Sequence, residues 1–209
     1  MLNSIKNIIF LYKNRRELKN WKKRNFCPPS PEFIKQQILK NNNLKNALWI
    51  ETGTYYGNTT NYLSKISDKV ISIEADSRLA DLAKTKFKKI KNVNILNGKS
   101  EDLLNDILIN NCDYKNICIY LDAHLCNDHL KNKNTFGTEN NGTPIKLELE
   151  FIESQIDNFD NFNLLIDDIR LFDTSFQNYP DNNYLVDWCK KNKFIWEIQQ
   201  DIFIAKFKR

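Results

Sequence analysis

The chain has 209 residues, of which 41% are hydrophobic, 12% aromatic and 27% charged; this fits one soluble domain with a core that needs no disulfide staples, and excludes low-complexity disorder. Five cysteines, odd in number and never spaced C-x-x-C, place it in a reducing cytoplasm. The formal net charge of +5 is concentrated: residues 1–25 carry eight Lys or Arg against one acid, which leaves 23 basic and 25 acidic groups for the rest.

That basic segment, "MLNSIKNIIFLYKNRRELKNWKKRNF", sets Leu2, Ile5, Ile8, Ile9 and Tyr12 at helical spacing with cationic residues beyond. It is suited to a peripheral contact with an anionic membrane, a nucleic acid or an acidic polymer, and equally to a helix that caps the domain with its charges solvated. Its run "IIFLY" is shorter than a membrane span or the apolar centre of a signal peptide, about 7 to 15 residues. "CPPSP" at 27–31 then breaks the chain, because proline lacks an amide donor and disfavours helix in the residue before it. A short helix over "PEFIKQQILKNN" completes a basic helical N-terminal arm, residues 1–45, ahead of the main domain, residues 46–209.

From residue 46 apolar runs alternate with amphipathic segments, the rhythm of parallel strands with crossover helices. Strands are predicted at about 46–52, 69–75, 92–97, 116–122 and 162–168, and helices at about 58–66, 77–90, 100–110, 144–157 and 181–192. Thr143 before Pro144 reads as an N-cap with proline at the first helical position, and Pro180 with Asp181 opens the last helix. "FIWEIQQDIFIAKFK" leaves almost no room between two strands, so it predicts an antiparallel hairpin. The fold class that follows is α/β: a Rossmann-like, doubly wound and mostly parallel sheet closed by a C-terminal antiparallel hairpin, with N-terminal helices.

In such sheets ligands lie beyond the carboxyl ends of the strands. After the first strand comes "ETGTYYGNTT", where Gly53 and Gly57 permit a tight turn and Asn58, Thr59 and Thr60 open a helix. The glycine that would admit a pyrophosphate is replaced by Tyr55, which favours a ligand without one. Glu74 ends the second strand about 20 residues after the glycine turn, where a carboxylate accepts from both hydroxyls of a ribose. After the third strand, Gly98 turns the chain and Ser100 or Glu101 either caps the next helix or meets an adenine edge.

In this ordered set the chain resembles the class I S-adenosylmethionine-dependent methyltransferases, and within them the catechol O-methyltransferase-like, metal-dependent group. "ETGTYYG" looks like that group's cofactor loop, "VISIEAD" its ribose-binding strand, "GKSEDLL" its adenine segment, and "YLDAH" with "LLIDDI" its two metal-bearing strand ends; the resemblance spans roughly residues 46–170. It implies that 46–209 is a methyltransferase domain in which Glu51, Gly53, Tyr55, Gly57 and Thr59 hold the methionine end of S-adenosylmethionine. Glu74 would take the ribose and Ser100 with Glu101 the adenine, with Asp122 bordering the cofactor. Asp122, Asp167 and Asp168 would bind a divalent metal, Mg²⁺ or Mn²⁺, since hard oxygen donors suit such ions better than zinc; the alternative is that they cap the following segments or meet a lysine or arginine such as Arg170.

"HLCNDH" also raises a metal-hydrolase reading, but only His124 and His129 are available to complete it. A divalent ion would lower the pKa of a bound acceptor hydroxyl and fix its position. The catechol group carries a lysine three positions after the strand-four acid. This chain has Leu125 there, so His124, with Asp122, becomes the catalytic candidate, and His129 the second choice for a base. The polar stretch from Cys126 to Thr143 reads as a lid; with Tyr55, Tyr56, Arg170 and Phe172 as walls, it suggests a sugar-like or small polar acceptor, a small molecule or glycan. The expectation is thus a cytoplasmic, metal-assisted O-methyltransferase, peripheral at the membrane if the arm binds there. The alternatives are a nucleic-acid methyltransferase, which the basic arm suits although "DAHL" lacks the Pro-Pro-aromatic that follows the strand-four residue in enzymes methylating base amino groups, and a noncatalytic cofactor-binding module.

Overall fold

The structure is a computed structural model, which describes residues 2–123, 127–128, 133–134, 143–173 and 179–208. In chain order the helices are α1 (Leu2–Lys23), α2 (Glu32–Asn41), α3 (Asn58–Leu63), α4 (Ser77–Phe87), α5 (Ser100–Ile109), α6 (Ile145–Gln155) and α7 (Asn182–Lys191). The strands are β1 (Leu48–Thr52), β2 (Lys69–Glu74), β3 (Val93–Asn97), β4 (Asn116–Leu121), β5 (Asn127–Asp128), β6 (Lys133–Asn134), β7 (Asn161–Ile166), β8 (Ile195–Gln199) and β9 (Ile202–Lys208).

Seven strands form one sheet in the order β3-β2-β1-β4-β7-β9-β8, and β5 pairs with β6 as a separate two-stranded ribbon. β1 runs parallel to β2 and β4, β2 to β3, and β4 to β7, whereas β9 is antiparallel to both β7 and β8. This is the mostly parallel sheet with a terminal hairpin that the sequence pattern predicts. The order reverses at β1 and β4, whose carboxyl ends therefore border the crevice where ligands of such sheets bind.

Both faces of the sheet are covered, which is why its central strands read as continuous apolar runs rather than alternating ones. On one face Leu48, Ile50, Ile117, Ile119 and Leu164 pack with residues of α5, α6 and α7; on the other Trp49, Val70, Tyr120 and Leu165 pack with Ile38 and Leu39 of α2 and Leu63 of α3. Each large apolar side chain buried this way contributes about 1.5–3 kcal/mol of transfer free energy. α2 thus joins the second core through Ile38 and Leu39.

α1 runs without glycine or proline and ends on Lys22 and Lys23, cations that suit the negative end of the helix dipole. It stops at Asn25 and Phe26, both with positive φ. Trp21 is buried and donates its indole N–H to the Cys27 carbonyl at 2.9 Å, with Phe26 edge-on at 5.1 Å. No helix among the described residues is long and apolar enough to cross a membrane.

Asp181 caps α7, accepting from the Tyr184 amide at 2.9 Å. Thr143 does not cap α6 as the sequence suggests. Pro144 stands at the N-cap, and the Thr143 hydroxyl instead donates to the Ala123 carbonyl at 3.5 Å, tying the start of α6 to the end of β4.

Candidate active site

The turn after β1 is held by β2: the amides of Gly53 and Thr54 both donate to the Ile73 carbonyl, at 3.0 and 3.1 Å. Gly53 has φ +83°, and a Cβ there would lie 2.5 Å from the backbone oxygen of Asp122. Glycine is therefore required twice over, by its conformation and by the approach of β4. Tyr55, in place of a glycine, also has positive φ, and its amide donates to Glu74 Oε2 at 2.6 Å. Gly57 is the N-cap of α3 with φ +68°.

Two buried carboxylates frame this turn. Glu51, at the end of β1, accepts from Ser72 Oγ at 2.6 Å and from Thr60 Oγ1; burial pushes it up to about 7 against those hydrogen bonds. Thr60 on α3 makes this contact, and Thr59, expected at the methionine end of the cofactor, lies partly exposed beside it. Glu74, at the end of β2, accepts one backbone amide on each oxygen, from Tyr55 and from Asp76 at 2.9 Å, and burial raises its carboxyl above the usual range. Each oxygen keeps a lone pair for a further donor.

Ser100 opens α5 with its side chain buried, while Glu101 in the same turn is partly exposed. Beside Ser100, on the first turn of α6, stands Glu148, a residue the sequence reading did not single out. Burial pushes its carboxyl up to about 7 although the Ser100 and Thr52 hydroxyls lie close, and its Oε1 makes no hydrogen bond among the described residues. With Asp122, Thr143, Asp167, Phe172 and Tyr179 it lines a narrow pocket, with room for little more than a water molecule, between the ends of β4 and β7.

The acidic strand ends are organised differently from the expectation. Asp122 directly follows β4, its amide donating to the Thr52 carbonyl at 3.1 Å; burial first, then the neighbouring Asp167, raises its carboxyl well above the usual range, with Lys35 opposing. Asp167 is paired with the ammonium of Lys35 from α2 and accepts from the Tyr120 hydroxyl at 2.5 Å. Arg170 binds Asp168 at 2.5 Å and also Asp201, which lies in the β8–β9 turn. Among the described residues, the only group with carboxylate oxygens all within 4.8 Å is Asp167, Asp168 and Asp201. Asp122 is thus not brought into the expected triad, and a lysine and an arginine already engage the acids that do converge. His124, His129, Leu125 and the stretch around Cys126 lie outside the described residues, apart from the backbone of β5 and β6, and Phe172 lines the pocket as expected.

The sequence model of the ribosomal RNA adenine dimethylase family matches residues 29–108, from just before α2 into α5. No curated protein sequence matches the chain. Among solved structures, a Clostridium thermocellum protein described as an rRNA methylase superposes with a TM-score of 0.54 at 10% identity, over 83% of this chain and 94% of its own. A Streptococcus mutans protein described as a methyltransferase and solved in complex with SAH gives 0.52 at 13% identity, over 86% and 97%. The fold is that of a class I S-adenosylmethionine-dependent methyltransferase. A third likeness with this fold is the Geobacter metallireducens precorrin-6y C5,15-methyltransferase, 0.52 at 9% identity, over 83% and 88%.

The family match and this methyltransferase fold bear out the sequence reading at the level of a methyltransferase with S-adenosylmethionine as cofactor. The residues present fit that cofactor: Gly53 lets the chain turn tightly against the end of β4, and Glu74 keeps lone pairs for a ribose. Neither the catechol-like, metal-dependent group nor the divalent metal finds such support. The donor set does not suit an ion, because Asp167 and Asp168 spend their charge on Lys35 and Arg170.

Proposed function

We propose that the chain transfers a methyl group from S-adenosylmethionine to nucleic acid, with a base of structured RNA as acceptor. The observation that carries this reading is the match of residues 29–108 to the ribosomal RNA adenine dimethylase family, over the segment whose glycine turn and Glu74 make up the cofactor site. The basic arm supports it. Arg15, Arg16, Lys19, Lys22 and Lys23 are exposed along α1 with Tyr12, an arrangement that suits phosphate contacts.

When bound, the cofactor supplies an electrophilic methyl group. Glu51, Gly53, Tyr55 and Gly57 shape the turn around its methionine end, Glu74 takes the ribose, and Ser100 with Glu101 takes the adenine. Asp122, at the crevice between β1 and β4, accepts hydrogen bonds from an acceptor amino group and so orients its lone pair toward the methyl. Orientation of this kind supplies much of what a transfer to a weak nucleophile needs.

A second reading, methylation of a hydroxyl on a small polar or sugar-like acceptor, is favoured by one observation: Asp122 is followed by Ala123 and His124, not by the Pro-Pro-aromatic sequence of base amino methylation. The two readings part in a single assay. Full-length protein with radiolabelled cofactor is offered total RNA and, separately, polysaccharide and small polyols. Label recovered in methyladenosine after nuclease digestion supports the RNA reading; unlabelled RNA beside a labelled methyl ether overturns it in favour of the hydroxyl.

A further inference from the structure

Four acidic residues, Asp122, Asp167, Asp168 and Asp201, gather at the neighbouring ends of β4 and β7 and the β8–β9 turn, where like charges without cations would be costly. Two side chains of the chain itself meet them. Arg170 holds Asp168 and Asp201 from the outside. Lys35 comes from further away. It stands on α2 three and four residues before the core residues Ile38 and Leu39, so the stripe that docks the helix carries it onto the sheet.

Its ammonium pairs with Asp167, whose side chain is only 3% exposed, and lies 5.9 Å from the ring centroid of Tyr120, whose hydroxyl donates to the same Asp167 oxygen. Burial works against the charge on Lys35, but Asp122, Asp167 and Asp168 outweigh it and raise its pKa, so the ammonium stays charged.

We propose that Lys35 is the resident cation of the acceptor end: an ammonium that the N-terminal segment delivers onto Asp167, where it neutralises the strand-end carboxylates and leaves no place for a divalent ion. Lys35 is on this account a positioning residue, acting through Asp167 and Asp122. The proposal holds for either acceptor, because it concerns the charge of the site and not the group methylated. It also makes α2 a functional part of the site.

The test is a gain of metal binding, which a merely structural lysine would not give on removal. Full-length wild type, Lys35→Arg and Lys35→Met are titrated calorimetrically with Mn²⁺, and their melting temperatures are followed with and without the ion. Wild type and Lys35→Arg should show no saturable Mn²⁺ binding. Lys35→Met should acquire it, at least about tenfold tighter than any wild-type uptake, with a rise of several degrees in melting temperature at saturation. Micromolar Mn²⁺ binding by the wild type overturns the proposal, as does a folded Lys35→Met that gains none. Should Lys35→Met fail to fold, the wild-type titration decides alone: saturable binding overturns the proposal and its absence upholds it.

Discussion

The two halves of the site, on either side of the β1–β4 crevice, are wired differently. On the cofactor side the partners are near in sequence: Glu51 with Thr60 and Ser72 across 9 and 21 residues, and Glu74 with Tyr55 across 19. On the acceptor side they are remote, Arg170 with Asp201 across 31, Tyr120 with Asp167 across 47 and Lys35 with Asp167 across 132. The family match, residues 29–108, stops short of the acceptor acids. A cofactor site of local turns can be inherited as a motif, whereas the acceptor site depends on which distant elements the sheet brings together.

The largest effect should come from breaking the remote wiring. Asp167 is the buried partner of Lys35, and Asp168 shares Arg170 with Asp201. Asp167→Asn should therefore destabilise the protein by about 3 kcal/mol, since it strands a cation, while Asp168→Asn should cost less than about 1 kcal/mol. Urea midpoints would measure the difference. Equal losses from the two substitutions would mean that the acids act as one unit, as the ligands of a shared ion would.

The local wiring should fail in a different currency. Glu74→Ala should leave the acidic end of the sheet intact yet weaken S-adenosylmethionine binding by roughly tenfold to a hundredfold, the equivalent of about 1.5–3 kcal/mol for hydrogen bonds to a charged group. Calorimetric titration with the cofactor reads this directly. Unchanged affinity would remove Glu74 from the ribose site and, with it, the assignment of the β1–β2 edge to the cofactor.

How much was legible in the sequence follows the same division. The strands, the crossover helices and the terminal hairpin could be read because apolar runs and their punctuation are local, and so could the turn at Gly53 and the place of Glu74 at a strand end. The bond from Thr60 to Glu51 was not legible, because a pattern alone does not say which hydroxyl of a helix start turns inward. The acidic strand ends were legible, and so was Arg170 as a cation for them to meet, but Lys35 and Asp201 were not, since nothing near "LLIDD" announces either. Two signals were present all the same. Lys35 falls on the stripe of Ile38 and Leu39, and Glu148 falls on that of Ile145, Leu149 and Ile152. A charge on a stripe destined for the core marks a group that must find a partner or shift its pKa.

Glu148 gives the smallest and most specific expectation. Its carboxyl is pushed up to about 7 in the folded protein from an ordinary value of 4.5, by burial that the Ser100 and Thr52 hydroxyls offset only in part. The folded state therefore holds a proton that the unfolded state has already released between these two values. A group raised in this way contributes stability that is present below the unfolded pKa and is lost as pH rises through the folded one. Between pH 6 and 8 the loss from this residue should be about 1 kcal/mol. Glu51, also raised to about 7, adds a loss of the same sign on the cofactor side. Glu148→Gln keeps the shape and removes the titration, so its denaturation midpoint should fall less steeply over that range than the wild type's, leaving the Glu51 share behind. If the substitution leaves the pH slope unchanged, Glu148 is already ionised in the folded protein, and a donor outside the described residues must reach its Oε1.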